Sequence, residues 1–244
     1  MGLIIKNLVG GYQNVPVIKG INLEIQPGEA VGLIGLNGAG KSTTIKHVLG
    51  LLRPISGEIS LNELTLKEQP TQFKQQVAVI PETPVLYPEL TLKEHLELTI
   101  LAYGLDRGHV WPHALELLKL FRLDDKLGWL PIHFSKGMKQ KVMIVNAFLT
   151  DAQLLIIDEP FTGLDPLAVA NLIDLINSAK RAGKMVLLTT HVLQTARRAL
   201  ERYVVLNNGL IVLDGSLDSI KQHYEIADDN FGELYQKLAV EQSK

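Results

Sequence analysis

The sequence predicts an α/β fold, with a parallel-sheet core, an antiparallel β appendage and an inserted α-helical subdomain. Short apolar runs recur at wide spacing, as strands buried on both faces do. Ahead of the first run, brief alternating segments are separated by turns. From about residue 84 to 150 the apolar residues instead fall three and four apart, the helical period.

Taken in order, Leu3-Ile4-Ile5, Val17-Ile18-Lys19 and Ile21-Asn22-Leu23-Glu24-Ile25 read as short strands that end at the turn Gln26-Pro27-Gly28-Glu29. Ala30-Val31-Gly32-Leu33-Ile34 is the first core strand, and Thr44-Ile45-Lys46-His47-Val48-Leu49 the helix after it. The turn Pro54-Ile55-Ser56-Gly57 precedes a further appendage strand, Glu58-Ile59-Ser60-Leu61. Val77-Ala78-Val79-Ile80 belongs to the core and ends at Pro81. Helical periodicity then covers Thr91 to Tyr103, His109 to Phe121 and Ser135 to Thr150. Core strands return as Leu154-Leu155-Ile156-Ile157, Met185-Val186-Leu187-Leu188 and Tyr203-Val204-Val205-Leu206, with a helix over 167–181. These readings give one domain over 1–225, its core at 1–83 and 151–225 and its helical subdomain at 84–150. The tail, 226–244, reads as polar from Asp228 to Lys244 and as an exposed helix.

Composition narrows the function classes. With 244 residues, 46% hydrophobic and 20% charged, the chain can bury a sizeable core. A net charge of −2 gives no global attraction to nucleic acid or anionic lipid. The absence of cysteine removes disulfides, thiolate metal sites and thiol nucleophiles, and fits a reducing compartment. No apolar run reaches membrane-spanning length, and the start lacks the order of a signal peptide. A soluble or peripheral protein facing the cytoplasm is expected.

The stretch Gly35-Leu36-Asn37-Gly38-Ala39-Gly40-Lys41-Ser42-Thr43 fits G-x-x-x-x-G-K-[ST], between a buried strand and a helix. A triphosphate needs many converging backbone N–H donors, and glycines let the chain curl closely enough to supply them. Lys41 neutralises the outer phosphates, Ser42 offers its hydroxyl to Mg²⁺, and the helix directs its positive end at the anion. The spacing therefore predicts a nucleoside triphosphate site. A second element follows at Asp158-Glu159, two carboxylates at the C-terminal edge of a buried strand, where open α/β sheets bind ligands. Asp158 is suited to hold Mg²⁺ through water and Glu159 to polarise an attacking water.

The phosphate loop, Ser135-Lys136-Gly137-Met138-Lys139-Gln140, Asp158-Glu159, Gly163-Leu164-Asp165-Pro166 and His191, in this order and spacing, resemble the ATP-binding cassette (ABC) ATPases of membrane transporters over residues 3–225. Within that family, Ile80 to Tyr87 and His133 to Lys141 look most like the Ecs-type bacterial transporter ATPases. The resemblance implies a P-loop NTPase core of the RecA-like type that binds and hydrolyses ATP with Mg²⁺. It also implies that Ser135, Gly137 and Met138 of one copy meet the γ-phosphate held by a second, with Asp165 at the seam of the homodimer. His191 corresponds to the switch histidine that orients water with Glu159, and Tyr12 to the aromatic that stacks on adenine. In the same family, the junction around Thr83-Pro84-Val85-Leu86-Tyr87-Pro88 receives a helix of an integral membrane subunit. Peripheral attachment to the cytoplasmic face and export-type transport follow as expectations, with no nucleic-acid partner.

Two departures from the family pattern stand out. Glu82 takes the place of a glutamine that touches Mg²⁺ and water, so it either adds a metal ligand or raises a neighbour's pKa by like-charge repulsion. Lys136 replaces the first glycine of the signature and Met138 its glutamine; Lys136 either reaches a phosphate across the seam or points into water. Rival readings are an ABC-type ATPase acting on nucleic acid or ribosomes, or a non-hydrolysing nucleotide sensor. A switch GTPase is excluded by the lack of an Asn-Lys-x-Asp motif.

Overall fold

The computed structural model describes residues 1–226 and 231–242. Strands β1 (Leu3–Tyr12) and β2 (Val15–Ile25) form a hairpin, and β3 (Ala30–Ile34) feeds helix α1 (Lys41–Val48) through the phosphate loop. Next come β4 (Ser56–Leu61), β5 (Leu64–Thr65), α2 (Pro70–Gln75) and β6 (Val77–Ile80). Helices α3 (Leu92–Ala102), α4 (Arg107–Leu120) and α5 (Lys136–Leu149) fill the predicted helical stretch, with 3₁₀ turns at Asp124–Lys126 and Pro131–His133. The chain continues through β7 (Leu154–Asp158), α6 (Pro166–Arg181), β8 (Met185–Thr189) and α7 (Leu193–Ala196). It ends with β9 (Arg202–Asn207), β10 (Leu210–Gly215), α8 (Leu217–His223) and α9 (Phe231–Gln242).

Among the described residues the strands make two sheets, β2-β1-β4-β5 and β10-β9-β3-β8-β7-β6. The first is antiparallel; in the second β9 through β6 run parallel and β10 is antiparallel to β9. Alternation along each core strand divides its side chains between two cores. Leu155 and Ile157 join the helices, while Leu154 and Ile156 face the antiparallel sheet with Leu3, Ile5 and Ile45. Parallel alignment carries the ends of β3, β7 and β8 to one edge, with Asp158 paired in register to Thr189. No described helix is long and apolar enough to cross a membrane.

Besides adding the short elements β5, α2, α7 and α8, the structure departs from the sequence expectation in three places. The segments 17–19 and 21–25, read as separate strands, are one strand, β2, kinked at Gly20. Strand β10 joins the sheet by a turn at Asn208-Gly209, both at positive φ, as a tight I′ hairpin requires. The tail is not an exposed helix. Over its described part, α9, Phe231, Leu234 and Leu238 repeat at helical spacing and are buried in the helix-side core; residues 227–230, 243 and 244 lie outside the described set. Lys237 further donates to the Tyr224 carbonyl, tying α9 to the end of α8. Leu234, 0% exposed, makes the correction testable: Leu234→Ala is expected to cost about 2–5 kcal/mol in urea denaturation, whereas an exposed position would cost less than about 0.5 kcal/mol.

Candidate nucleotide site

The phosphate loop leaves β3 at Gly35, where a Cβ would stand 2.3 Å from the Leu206 carbonyl oxygen. Only glycine lets the loop turn against β9 there. Ala39, Gly40, Lys41 and Thr43 are buried, while Asn37, Gly38 and Ser42 face solvent. Lys41 Nζ donates to the carbonyls of Gly35 at 2.7 Å and Leu36 at 3.1 Å, so its ammonium lies over the loop. Burial pushes the Lys41 pKa down, against the opposing pull of Glu159, Asp158 and Glu82. The cation thus sits over the loop within electrostatic reach of three carboxylates.

The two carboxylates at the end of β7 have different surroundings. Asp158 is half-buried and accepts a short hydrogen bond from the Thr189 hydroxyl. Glu159 is 6% exposed and holds φ at +46°, an uncommon conformation for a side-chain-bearing residue. Its backbone N–H donates to the Thr189 carbonyl at 3.1 Å, which fixes the turn. The Glu159 carboxylate accepts from the His191 backbone N–H at 3.2 Å through Oε2. Its Oε1 stands 3.0 Å from His191 Nδ1 but off the hydrogen-bonding direction, and is left buried without a donor. Desolvation raises the Glu159 pKa, with the neighbouring Asp158 adding to it and His191 and Lys41 pulling back.

This burial has a stability signature. The folded carboxyl titrates above its unfolded value of about 4.3, so between the two the native chain binds more protons than the unfolded one. Stability contributed by this group therefore falls as pH rises through that window and stays low above it. Glu159→Gln, which does not ionise, is expected to be more stable than the parent near pH ~8, with the gap closing toward pH ~4. Chemical denaturation across that range checks it.

A second cluster is built at the start of α5. Ser135 caps the helix, its Oγ accepting from Met138 N–H at 3.2 Å, and leaves the other first-turn donors free for an anion. Gly137 packs on the turn before α6: a Cβ there would lie 2.4 Å from the Gly163 carbonyl oxygen. Asp165 caps α6 by accepting from Ala168 N–H at 2.9 Å and takes a 2.6 Å ion pair from Lys141 of α5. Lys141 is the main reason its carboxyl titrates below the usual range. Lys136 is exposed. At the end of β1, Tyr12 is open to solvent, and its hydroxyl accepts from Lys46 of α1 at 3.1 Å.

Phosphate loop, Asp158, Glu159 and His191 thus meet at one sheet edge, and Glu82, exposed, lies within electrostatic reach of Lys41. Among the described residues no three His, Asp or Glu side chains gather closely enough to hold a metal unaided. The oxygen donors of Ser42, Asp158 and Glu82 nevertheless have the chemistry to suit a hard cation that shares its shell with phosphate, and Glu159 Oε1 is a buried polar atom without a hydrogen-bond partner next to Asp158 in the chain. Sequence reasoning missed Thr189, which donates to the Asp158 carboxylate and accepts from the Glu159 backbone N–H, and Gln140, whose Nε2 donates to the Pro81 carbonyl at 3.3 Å beside Glu82. Gln140 did carry a signal: it lies on the buried stripe with Ile144 and Ala147, where a polar side chain needs a partner.

Residues 18–162 match a family model described as ABC transporter. The chain belongs to the ABC transporter family. It is 49% identical to the ABC-type transporter ATP-binding protein EcsA of Bacillus subtilis (strain 168), over 98% of this chain and 97% of that protein. A solved ATP-binding subunit of an ABC transporter superposes with a TM-score of 0.92 at 48% identity, covering 98% of this chain and 100% of that one. A dimeric ATP-binding cassette in a post-hydrolysis state with ADP and Pi superposes with a TM-score of 0.78 at 25% identity, covering 88% and 98%. The fold is that of the ABC ATPases, the P-loop NTPase type, and the chain is an ATP-binding, ATP-hydrolysing ABC transporter subunit. These matches favour transport over the nucleic-acid and ribosome alternative.

Proposed function

We propose that two copies of this chain close head to tail on ATP and Mg²⁺ and drive an integral membrane subunit of an Ecs-like, export-type transporter from its cytoplasmic face. The convergence of the phosphate loop, Asp158, Glu159 and His191 on one sheet edge, together with the capped and anion-ready start of α5, carries the reading. Lys41 and the loop amides from Gly35 to Thr43 bind the phosphates, and Tyr12 stacks on adenine. Ser42, Asp158 and Glu82 hold Mg²⁺, which neutralises phosphate charge. Glu159, its pKa raised by burial, takes the proton of the attacking water as that oxygen bonds to the γ-phosphorus and the bond to ADP breaks. His191 helps place the water. Ser135, Gly137 and Met138 of the other copy complete the phosphate shell, with Asp165 at the seam.

The membrane subunit docks at the junction of β6 and α3. Val85 and Tyr87 stand 73% and 60% exposed there, in a loop anchored where the Tyr87 N–H donates to buried His95 Nε2 at 2.9 Å. An apolar tip held by such an anchor suits a helix from another subunit. The test is small-angle scattering with a non-cleavable ATP analogue, together with phosphate release from the chain co-isolated with membrane proteins. Doubling of mass and ATP-dependent release are expected; a chain that stays single and releases no phosphate in the presence of its membrane partner overturns the proposal.

A further inference from the structure

Tyr235 lies on α9, beyond residues 18–162, yet its hydroxyl donates to the Thr190 carbonyl at 3.4 Å. That carbonyl belongs to the same peptide unit as the His191 N–H, and this N–H donates to Glu159 Oε2 at 3.2 Å. A peptide unit is planar, so its C=O and N–H turn together. One plane is therefore pinned at its oxygen by the tail and at its nitrogen by the catalytic carboxylate. A rotation of that plane moves both hydrogen bonds at once.

We propose that Tyr235 is a positioning residue for ATP hydrolysis: the docked tail holds the Thr190–His191 peptide in the orientation that aims the Glu159 carboxylate and sets His191 beside it. The inference rests on the reading of Glu159 as the base. The surroundings give it force. Glu159 Oε1 lies 3.0 Å from His191 Nδ1 without a directed hydrogen bond, so the His191 N–H makes the directed hydrogen bond to this carboxylate, and both contacts depend on where the Thr190–His191 peptide sits. Donation into the carbonyl polarises the amide and strengthens its N–H as a donor. Burial, and the nearby negative charge of Glu159, push the Tyr235 pKa upward, which keeps the hydroxyl a donor at working pH. Tail docking does not depend on this bond, since Phe231, Leu234 and Leu238 bury the adjoining face of α9. The device thus makes hydrolysis, and not ATP binding, answer to whether the C-terminal helix is seated.

Tyr235→Phe in the full chain tests this, because it keeps the ring and removes only the donor. The expected result is a fall in kcat on the order of fivefold, with the ATP KM and the thermal midpoint at parent values. A purely structural contact would lower the thermal midpoint without this split. In a Glu159→Gln background the same change is expected to add nothing, as both act through one carboxylate. Parent kcat in Tyr235→Phe, or a further fivefold loss in the Glu159→Gln background, overturns the inference while leaving the base assignment standing. A Glu159→Gln variant that keeps the parent rate overturns the base assignment itself, and the inference with it.

Discussion

Glu159→Gln is expected to bind ATP as tightly as the parent, to accumulate as a closed dimer and to release phosphate at least about a hundredfold more slowly. The amide has the shape of the carboxylate, so its oxygen still accepts from the His191 N–H, and the turn fixed by the Glu159 N–H to Thr189 is untouched. Nothing in the phosphate loop changes, which is why affinity is preserved. What disappears is the proton acceptor. On the proposed reading the buried Glu159 carboxylate takes the proton of the attacking water; an amide at that place cannot. Steady-state phosphate release, fluorescent-nucleotide titration and size-exclusion with ATP measure the three outcomes. Hydrolysis at the parent rate would remove Glu159 from the role of base.

The parts of this site that sequence alone made legible are those whose chemistry is local. The phosphate loop is a run of consecutive residues whose types follow from backbone curvature, and Asp158-Glu159 follows a strand that is apolar throughout. The core strands were readable because burial on both faces demands unbroken apolar runs. What escaped depends on distant partners. Thr189 earns its place from register, since only the pairing of β7 with β8 sets its hydroxyl beside Asp158. The Lys141–Asp165 ion pair joins helices far apart in the chain. Helices α2, α7 and α8 are too short to display a period, and β10 at the sheet margin carries a weak alternation, although Asn208-Gly209 announces its hairpin. The tail misled because its charged residues outnumber the apolar stripe of Phe231, Leu234 and Leu238, which has meaning only once a core exists to receive it.

Gly137→Ala is expected to abolish most turnover while sparing ATP binding by the isolated chain. A single methyl at this position points at the Gly163 carbonyl oxygen from 2.4 Å, well inside van der Waals contact, and the obstacle is backbone that has no rotamer to retreat into. The first turn of α5 and the turn preceding α6 must therefore part. That separation displaces the Ser135 cap and strains the Lys141–Asp165 ion pair, the two features that hold this cluster in shape. The phosphate loop and Glu159 belong to other elements, so the variant's own nucleotide affinity should stay within about threefold of the parent's, because misplacing a group by about 1 Å costs on the order of a hundredfold in rate and little in remote binding. Mixing variants makes the prediction sharper. If the cluster serves the partner's nucleotide, a dimer of one Gly137→Ala chain and one Glu159→Gln chain puts both defects in one composite site and leaves the other intact, whereas a cluster serving its own subunit would put one defect in each. Tethered pairs should then differ from either homodimer in residual rate. If Gly137→Ala instead weakens ATP binding by the single chain as strongly as it slows turnover, the cluster acts within its own subunit and the head-to-tail arrangement fails.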